Sequence, residues 1–351
     1  MRGYNVPGVL KRVRPTDKSA MLFGLAVLTA SFALSPALGL ELQLPIDCTP
    51  GKDCFVQNYP DVSPDSAEPQ DFTCGSATFH GLTGTDIRLL SIEAAKGVKV
   101  LAAAGGTVRG ARDGMADHLM RTGADKAAIA GRECGNGVVI VHGDGWETQY
   151  CHLRDGSVRV RAGQKVAAGA WLGDVGQSGE TQFAHIHMTV RHNGRTVDPF
   201  LGEPVGATCR TDGKADPSKS LWRRDLQMAL GPPRTVVLET GFSSAAVSEN
   251  TLEEGRSLVP ILRTSSPELI LFARIMHLAK GDRVHLRAEF PGGTPIDLTS
   301  EPETHDKAVK VIAAARKGNG SAWPLGAYRG HVDVIRDGKV LVSSESATEL
   351  R

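Results

Sequence analysis

Short apolar segments alternate with glycine-containing turns through the middle of the chain, a pattern typical of antiparallel β-structure. We predict strands there at residues 98–103, 106–111, 137–142, 146–153, 157–160, 171–175 and 185–192. Asn193-Gly194 separates two apolar segments and favours a tight hairpin turn, because both residues tolerate positive φ. This part of the chain is therefore predicted to be mainly β.

Residues 113–131 interrupt this pattern, since they are rich in alanine and charged residues. They predict a helical or loop insertion at the rim of a cleft. A linker follows at residues 205–233, with a short helix at 221–230. Further apolar segments at residues 236–238, 269–278, 283–290, 308–315, 326–335 and 339–343 predict a small C-terminal antiparallel β-sandwich.

The beginning of the chain has the features of an export signal. Basic residues precede an apolar run at residues 20–34, and the small residues Ala37 and Gly39 follow it. We predict a signal peptide at residues 1–39 with cleavage after Gly39. An uncleaved membrane anchor is the alternative, because the run approaches the ~20 residues that span a bilayer, but Pro36 favours secretion. The expected location is the bacterial periplasm or the medium, with no stable membrane span after cleavage.

Length and charge limit the possible domain organisation and the possible partners. A chain of 351 residues exceeds one ordinary hydrophobic core, so we predict several parts. These are an N-terminal disulfide-bearing segment at 40–74, a main β domain at 75–204, the linker at 205–233 and a C-terminal accessory domain at 234–351. Lys plus Arg total 40 against 39 Asp plus Glu, which gives no electrostatic argument for a nucleic-acid partner.

The cysteine content agrees with export. An even number of cysteines in an exported chain predicts disulfides rather than thiolate metal sites. The pairs that we predict, among several connectivities that six cysteines allow, are Cys48 with Cys54, Cys134 with Cys151, and Cys74 with Cys209.

Candidate chemistry is concentrated in the predicted β domain. His185 and His187 lie two residues apart in a predicted strand, and such side chains project to the same face. His152 and Asp86 also lie in strand-like segments. Histidines beside an aspartate on a β scaffold suggest a zinc hydrolase. In the C-terminal part, the histidines are scattered, which predicts surface or packed side chains in a binding or spacing module.

Several motifs carry a family resemblance. In order along the chain they are CGNGVVIVHG (134–143), YCHL (150–153), VRAGQKVAAG (160–169), GDVGQSG (173–179) and VDPF (197–200). Residues from about 75 to 200 thus resemble the lysostaphin-type, or LytM-like, zinc endopeptidases that cut bacterial cell-wall peptides. The resemblance implies an antiparallel LytM-like β fold of the duplicated hybrid motif type. It also implies that Asp86 and His187 bind zinc, while His152 and His185 flank the metal-bound water as general base and oxyanion stabiliser.

The third zinc ligand departs from the family pattern. The family has a histidine four residues before the aspartate, and this chain has Leu82 there. His80 is the nearest histidine, and two positions along a strand displace a side chain by about 6.6 Å. A bulge at the flanking Gly81 and Gly84 would be needed for His80 to serve as ligand.

Two functions remain open from the sequence. The first is an exported zinc metalloendopeptidase that hydrolyses peptide cross-links of peptidoglycan, with His80, Asp86 and His187 as metal ligands. The second is a catalytically inactive LytM-like protein that binds and regulates another cell-wall hydrolase. Loss of a ligand favours the second function, whereas retention of His152, His185 and His187 favours the first.

Overall fold

The computed structural model of the protein describes residues 39–206, 209 and 216–351. The predicted signal peptide therefore lies outside the described residues except for Gly39, and part of the predicted linker also lies outside them. Antiparallel strands dominate the described chain, which confirms the predicted mainly β class. Within the described residues, no helix is both long and apolar enough to cross a membrane.

The first half of the described chain is built on one large antiparallel sheet. Its elements and those beside it are β1 (Cys54–Asn58), β2 (Thr85–Leu89), α1 (Ile92–Ala95), β3 (Lys99–Leu101), β4 (Gly106–Arg112), α2 (Gly123–Ala128), β5 (Asn136–Gly143), β6 (Trp146–Leu153), β7 (Lys165–Val166), β8 (Trp171–Asp174), β9 (His185–His192), β10 (Arg195–Asp198) and β11 (Glu203–Pro204). The sheet order is β1-β2-β9-β6-β5-β4-β7, with β10 and β11 extending from β9, while β3 pairs with β8. One apolar face is buried around Ile87, Tyr150 and Ile186.

Local turn chemistry explains the hairpins that the sequence predicts. Asn193 and Gly194 have φ values of 50° and 77°, and both residues of a type I′ turn require positive φ. The predicted strand at residues 157–160 is wrong, because this segment is irregular. The Ser157 hydroxyl donates to the carbonyl of Arg154 and accepts from the Asp174 amide, and these bonds compete with a regular strand ladder.

The insertion at residues 113–131 combines an extended piece with the short helix α2. Thr122 and Asp125 form a capping box at the start of α2. Before the helix, the amides of His118 and Met120 donate to the carbonyls of Gln177 and Thr181, at 3.0 and 2.8 Å. The insertion is therefore fastened along the segment that leads into β9.

The second half of the described chain contains two further antiparallel sheets. Its elements are α3 (Arg224–Leu230), β12 (Val236–Ser243), α4 (Glu249–Glu254), a 3₁₀ turn (Arg256–Leu258), β13 (Glu268–Leu278), β14 (Arg283–Glu289), β15 (Ile296–Thr299), β16 (Lys307–Lys317), β17 (Gly326–Arg336) and β18 (Lys339–Leu350). The sheet orders are β12-β13-β16 and β15-β14-β17-β18. Alternate residues such as Leu271, Leu286 and Val332 form one buried cluster between these sheets.

The three predicted disulfides are present. Cys48 pairs with Cys54, Cys74 with Cys209, and Cys134 with Cys151. The second bond closes a loop with a sequence separation of 135 residues, so it links the segment before β2 to the chain beyond β11. Cross-links of this kind stabilise chiefly by restricting the unfolded chain.

Candidate functional site

The candidate site lies on the face of the large sheet where β2 and β9 run side by side. Asp86 pairs with His187 and Arg88 pairs with His185 in the strand register. Directly paired residues, and residues two apart on each strand, share one face of a sheet. These four side chains therefore form a polar patch on a sheet whose other face is apolar.

Asp86 is the electrostatic centre of this patch, and only 3% of it is exposed. Its Oδ1 lies 2.7 Å from Nδ1 of His187 and 3.6 Å from Nε2 of His185. Its Oδ2 accepts a hydrogen bond of 2.9 Å from the side-chain amide of Asn58 on β1. Burial by itself raises the pKa of Asp86, but His185 and the hydrogen bond from His187 lower it to about 2. Asp86 is thus an anion at neutral pH.

His152 reaches the site from the end of β6. Its φ of 64° is uncommon for a residue other than glycine and marks a local break in the strand. Its ring centroid lies 4.7 Å from that of His185 and 6.0 Å from that of His187. Burial lowers the pKa of His152 well below its ordinary value, and the two neighbouring imidazoles add to this. The structure therefore brings His152, His185, His187 and Asp86 together.

Hydrogen bonds fix the tautomers of two of these histidines. Nδ1 of His152 lies 2.8 Å from the carbonyl oxygen of Ser178, and Nδ1 of His185 lies 2.9 Å from that of Phe183. A carbonyl oxygen only accepts, so both Nδ1 atoms carry the proton. Burial lowers the pKa of His185, against the opposing effect of Asp86. Both imidazoles are therefore neutral, and each keeps a basic Nε2 that can accept a proton.

A glycine makes room for this arrangement. A Cβ on Gly84 would lie 2.7 Å from Nε2 of His187 and 2.6 Å from the carbonyl oxygen of Met188. Any larger residue would therefore push β9 away from the start of β2. The Gly-Thr-Asp sequence thus serves the close approach of the two strands.

The structure does not bring His80 to the other predicted ligands. His80 is exposed in a turn, while Leu82 is 6% exposed. Buried Asp61 fixes this turn, because its carboxylate accepts from the Gly81 amide at 2.9 Å and its amide donates to the Leu82 carbonyl at 2.8 Å. Leu82 is held in the core by these bonds, and His80 is held outside it.

The donor set is short of what a catalytic zinc needs. Such a zinc takes three protein ligands and keeps one open position. Among the described residues, Cys48, Asp53 and Cys54 are the one set of three His, Cys, Asp or Glu side chains whose ligand atoms all lie within 4.8 Å of one another. Both of these cysteines are in a disulfide, which removes their thiolates. At the candidate site, Asp86 and His187 offer two ligand positions, and the residues present do not fit a three-ligand catalytic zinc.

Asn58 and Arg88 belong to the site but were missed by the sequence analysis. The sequence does indicate Arg88, because it lies two residues after Asp86 on the same strand and so shares its face. Asn58 had none, since it reaches Asp86 through the register of β1 against β2, which includes an irregularity between Val56 and Asn58.

Comparison with known proteins gives a consistent result. Residues 84–199 match Peptidase family M23. The chain is 33% identical over 135 residues to the cell division protein DipM of Caulobacter vibrioides, covering 35% of this chain and 19% of DipM. It is 34% identical over 103 residues to the DD-carboxypeptidase/endopeptidase Mpg of Neisseria meningitidis, covering 29% of this chain and 21% of Mpg. The chain thus spans about a fifth of the length of these curated relatives.

A solved structure similar to part of the chain is the catalytic domain of a mutant of the prophage-encoded M23 protein EnpA from Enterococcus faecalis. The sequence identity is 26% and the TM-score is 0.25. The similarity covers 33% of this chain and 75% of that one.

Proposed function

Because residues 84–199 form a domain of peptidase family M23, we propose that the protein binds peptidoglycan peptides in the bacterial cell envelope without hydrolysing them. A protein that binds wall peptides in this way affects wall turnover through another hydrolase. The proposal therefore includes a cell-wall hydrolase as partner.

The observation that carries this proposal is Leu82 at the position of the third zinc ligand. Its side chain is buried, and its turn is fixed by Asp61. The two remaining ligand positions, Asp86 and His187, are hydrogen-bonded directly to each other at 2.7 Å. Two ligands hold zinc far less firmly than three, so the site suits a polar ligand better than a resident metal.

Two further observations support an envelope location. All described cysteines are in disulfides, and these persist in oxidising compartments outside the cytoplasm. One curated relative is called a cell division protein and another a DD-carboxypeptidase/endopeptidase. The signal peptide predicted at residues 1–39 agrees with export to the periplasm or the medium.

A second candidate is the zinc endopeptidase that cleaves peptidoglycan cross-links. It is favoured by the basic Nε2 atoms of His152 and His185, which flank Asp86 and His187 as a hydrolytic site would require. In this candidate His80 leaves its exposed turn and binds zinc beside Asp86 and His187.

The test compares zinc content and hydrolysis of purified peptidoglycan for three proteins: the mature wild type, Leu82→His and the control Leu82→Gln. We expect the wild type, supplied with zinc, to bind peptidoglycan, to hold far less than one zinc per chain and to release no peptides. Leu82→His supplies the missing imidazole, and we expect it to gain about one zinc per chain. Leu82→Gln introduces polarity without an imidazole and should gain none.

The His80→Ala variant separates the two candidates. Near-stoichiometric zinc in the wild type that disappears in His80→Ala, together with hydrolysis, would establish the endopeptidase and overturn the binding proposal. Failure of the wild type to bind peptidoglycan at all would also overturn it.

A further inference from the structure

A cavity of about 670 Å³ lies directly beside the candidate site. Phe183 and Arg88 line it on the side of the large sheet. The Phe183 ring stacks on the His185 ring with centroids 4.3 Å apart, and Arg88 is the strand partner of His185. The cavity therefore begins one side chain away from the site histidines.

Its other walls come from two parts of the chain, the insertion at residues 113–131 and the C-terminal part. The insertion contributes Met120 and Arg121, and the C-terminal part contributes Glu249 and Val309. The insertion wall is fastened by the hydrogen bond from Met120 to Thr181.

A buried ion cluster fixes the C-terminal wall. Glu253 on α4 accepts from Arg88 at 2.6 Å and from Arg274 at 2.8 Å, and all three side chains are at most 3% exposed. Breaking this network would leave buried charges uncompensated. The intact network therefore holds α4 against β2. The cavity therefore has walls in a fixed relation to His185.

Two charged groups that line the cavity are without an ion pair. Lys126 pairs with Glu180 at 2.6 Å. Within the described chain, Arg121 and Glu249 form no ion pair, although Arg121 donates a long hydrogen bond of 3.4 Å to the Gln182 carbonyl. Burial and the neighbouring Glu253 raise the pKa of Glu249, whereas the positive charges of Arg88, Arg274 and Arg121 oppose this. Among the described residues that line the cavity, Arg121 and Glu249 are thus a cation and an anion without an ion pair that face a ligand.

A second cavity adjoins the first. This second cavity, of about 710 Å³, shares Glu249 and Val309 with the first and is lined further by Lys307 and Lys310. Two adjoining cavities form a groove that suits an extended chain better than a compact molecule. Met120, Phe183 and Val309 offer apolar surface between the charges, as peptide side chains require.

We infer that this groove binds a peptide that carries both a free carboxylate and a free ammonium, with Arg121 binding the carboxylate and Glu249 the ammonium. The inference rests on the proposed function, because it names the class of peptide that the wall-binding protein selects. Guanidinium pairs well with carboxylate, and the Glu249 carboxylate pairs equally with an ammonium. Neither residue belongs to the metal or histidine set of the candidate site.

The test uses a synthetic tetrapeptide, acetyl-alanyl-lysyl-alanyl-alanine, in calorimetric titration of the mature full chain. Two matched probes lack one charge each: the first has an amidated carboxyl end and the second has norleucine in place of lysine. We expect Arg121→Gln to weaken binding of the parent peptide about tenfold and to bind the amidated probe as the wild type does. Glu249→Gln should weaken the parent about tenfold and bind the norleucine probe as the wild type does.

The controls are Arg132→Gln, directly after the insertion, and Glu254→Gln on α4, since both side chains are exposed and do not line the cavity. Both should bind all three probes as the wild type does. Equal binding of the three probes by the wild type, or no binding of the parent peptide, would overturn the inference. If the wild type still sediments with purified peptidoglycan in that case, the proposed function stands and the groove assignment alone fails.

Discussion

Histidine and aspartate side chains occur on both the large sheet and the β14–β17 sheet, but in opposite environments. On β2 and β9, Asp86 is 3% and His185 4% exposed. On β14 and β17, His285 and His331 lie at the surface, and both contact Asp333, at 3.7 and 3.0 Å. The same residue types are therefore buried on one sheet and solvated on the other.

This difference separates the buried polar cluster of the candidate site from surface groups that contribute to solubility. A buried polar atom without a partner costs about 1–3 kcal/mol, whereas an exposed ion pair contributes about 0–1 kcal/mol. His152 and His185 are 6% and 4% exposed, and burial lowers the pKa of both. Perturbed titratable groups that cluster in this way indicate a binding or catalytic site.

The buried cluster of Glu253, Arg88 and Arg274 gives the largest expected effect. Glu253→Ala removes the carboxylate that Arg88 and Arg274 share; Arg274 keeps its ion pair with Glu239, but Arg88 loses its ion-pair partner, and we expect the free energy of unfolding to fall by about 3–5 kcal/mol. Urea denaturation of the mature chain measures this. Glu254→Ala, an exposed change on the same helix, should stay within about 0.5 kcal/mol. A loss below about 1 kcal/mol for Glu253→Ala would show that this buried ion cluster contributes little to the free energy of unfolding.

Asp198 gives a pH-dependent effect of intermediate size. Burial raises its pKa to about 7, against the opposing hydrogen bonds from the amides of Leu201 and Phe200. Its Oδ2 is buried without a partner in the described chain, which also favours the protonated form. The ordinary value of 3.8 applies to the unfolded chain. Between these two values the folded state binds more protons than the unfolded state.

The contribution of Asp198 to stability is therefore fully present below about pH 4 and is lost as the pH rises through about 7. The slope reaches about 1.4 kcal/mol per pH unit. Asp198→Asn keeps an oxygen for the two amides but does not titrate, so its unfolding free energy should change less between about pH 5 and 7.5. The control Asp65→Asn, at an exposed position, should follow the wild type. Parallel curves for Asp198→Asn and wild type would contradict the assignment.

Much of the fold could be predicted because its signals are local. Strand β6 was predicted with its observed bounds, Trp146–Leu153, and β9 with His185–His192, since apolar alternation and glycine turns define both. The segment 157–160 was mispredicted, because the hydroxyl of Ser157 diverts the backbone bonds that a strand would use.

The site depended on contacts that the sequence does not encode locally. The shared face of His185 and His187 follows from strand periodicity. The hydrogen bond of Asn58 to Asp86 joins residues 28 positions apart and depends on the register of β1. The exposure of His80 depends on Asp61, which lies 20 residues before Gly81. The register of β1 and the anchoring of the turn therefore determine which side chains enter the site, and periodicity alone does not reveal them.

The smallest expected effect is at the exposed histidine of β17. His331 lies 3.0 Å from Asp333 and 3.5 Å from Glu345, whose side chain is 82% exposed. Pairs of this kind are screened by solvent and salt, so His331→Gln should change the free energy of unfolding by less than about 1 kcal/mol. The difference should shrink further at high salt. A loss above about 2 kcal/mol that persists in salt would mean that this surface network stabilises the fold as much as a buried one does. Burial would then no longer distinguish the histidines of the candidate site from the solvated ones.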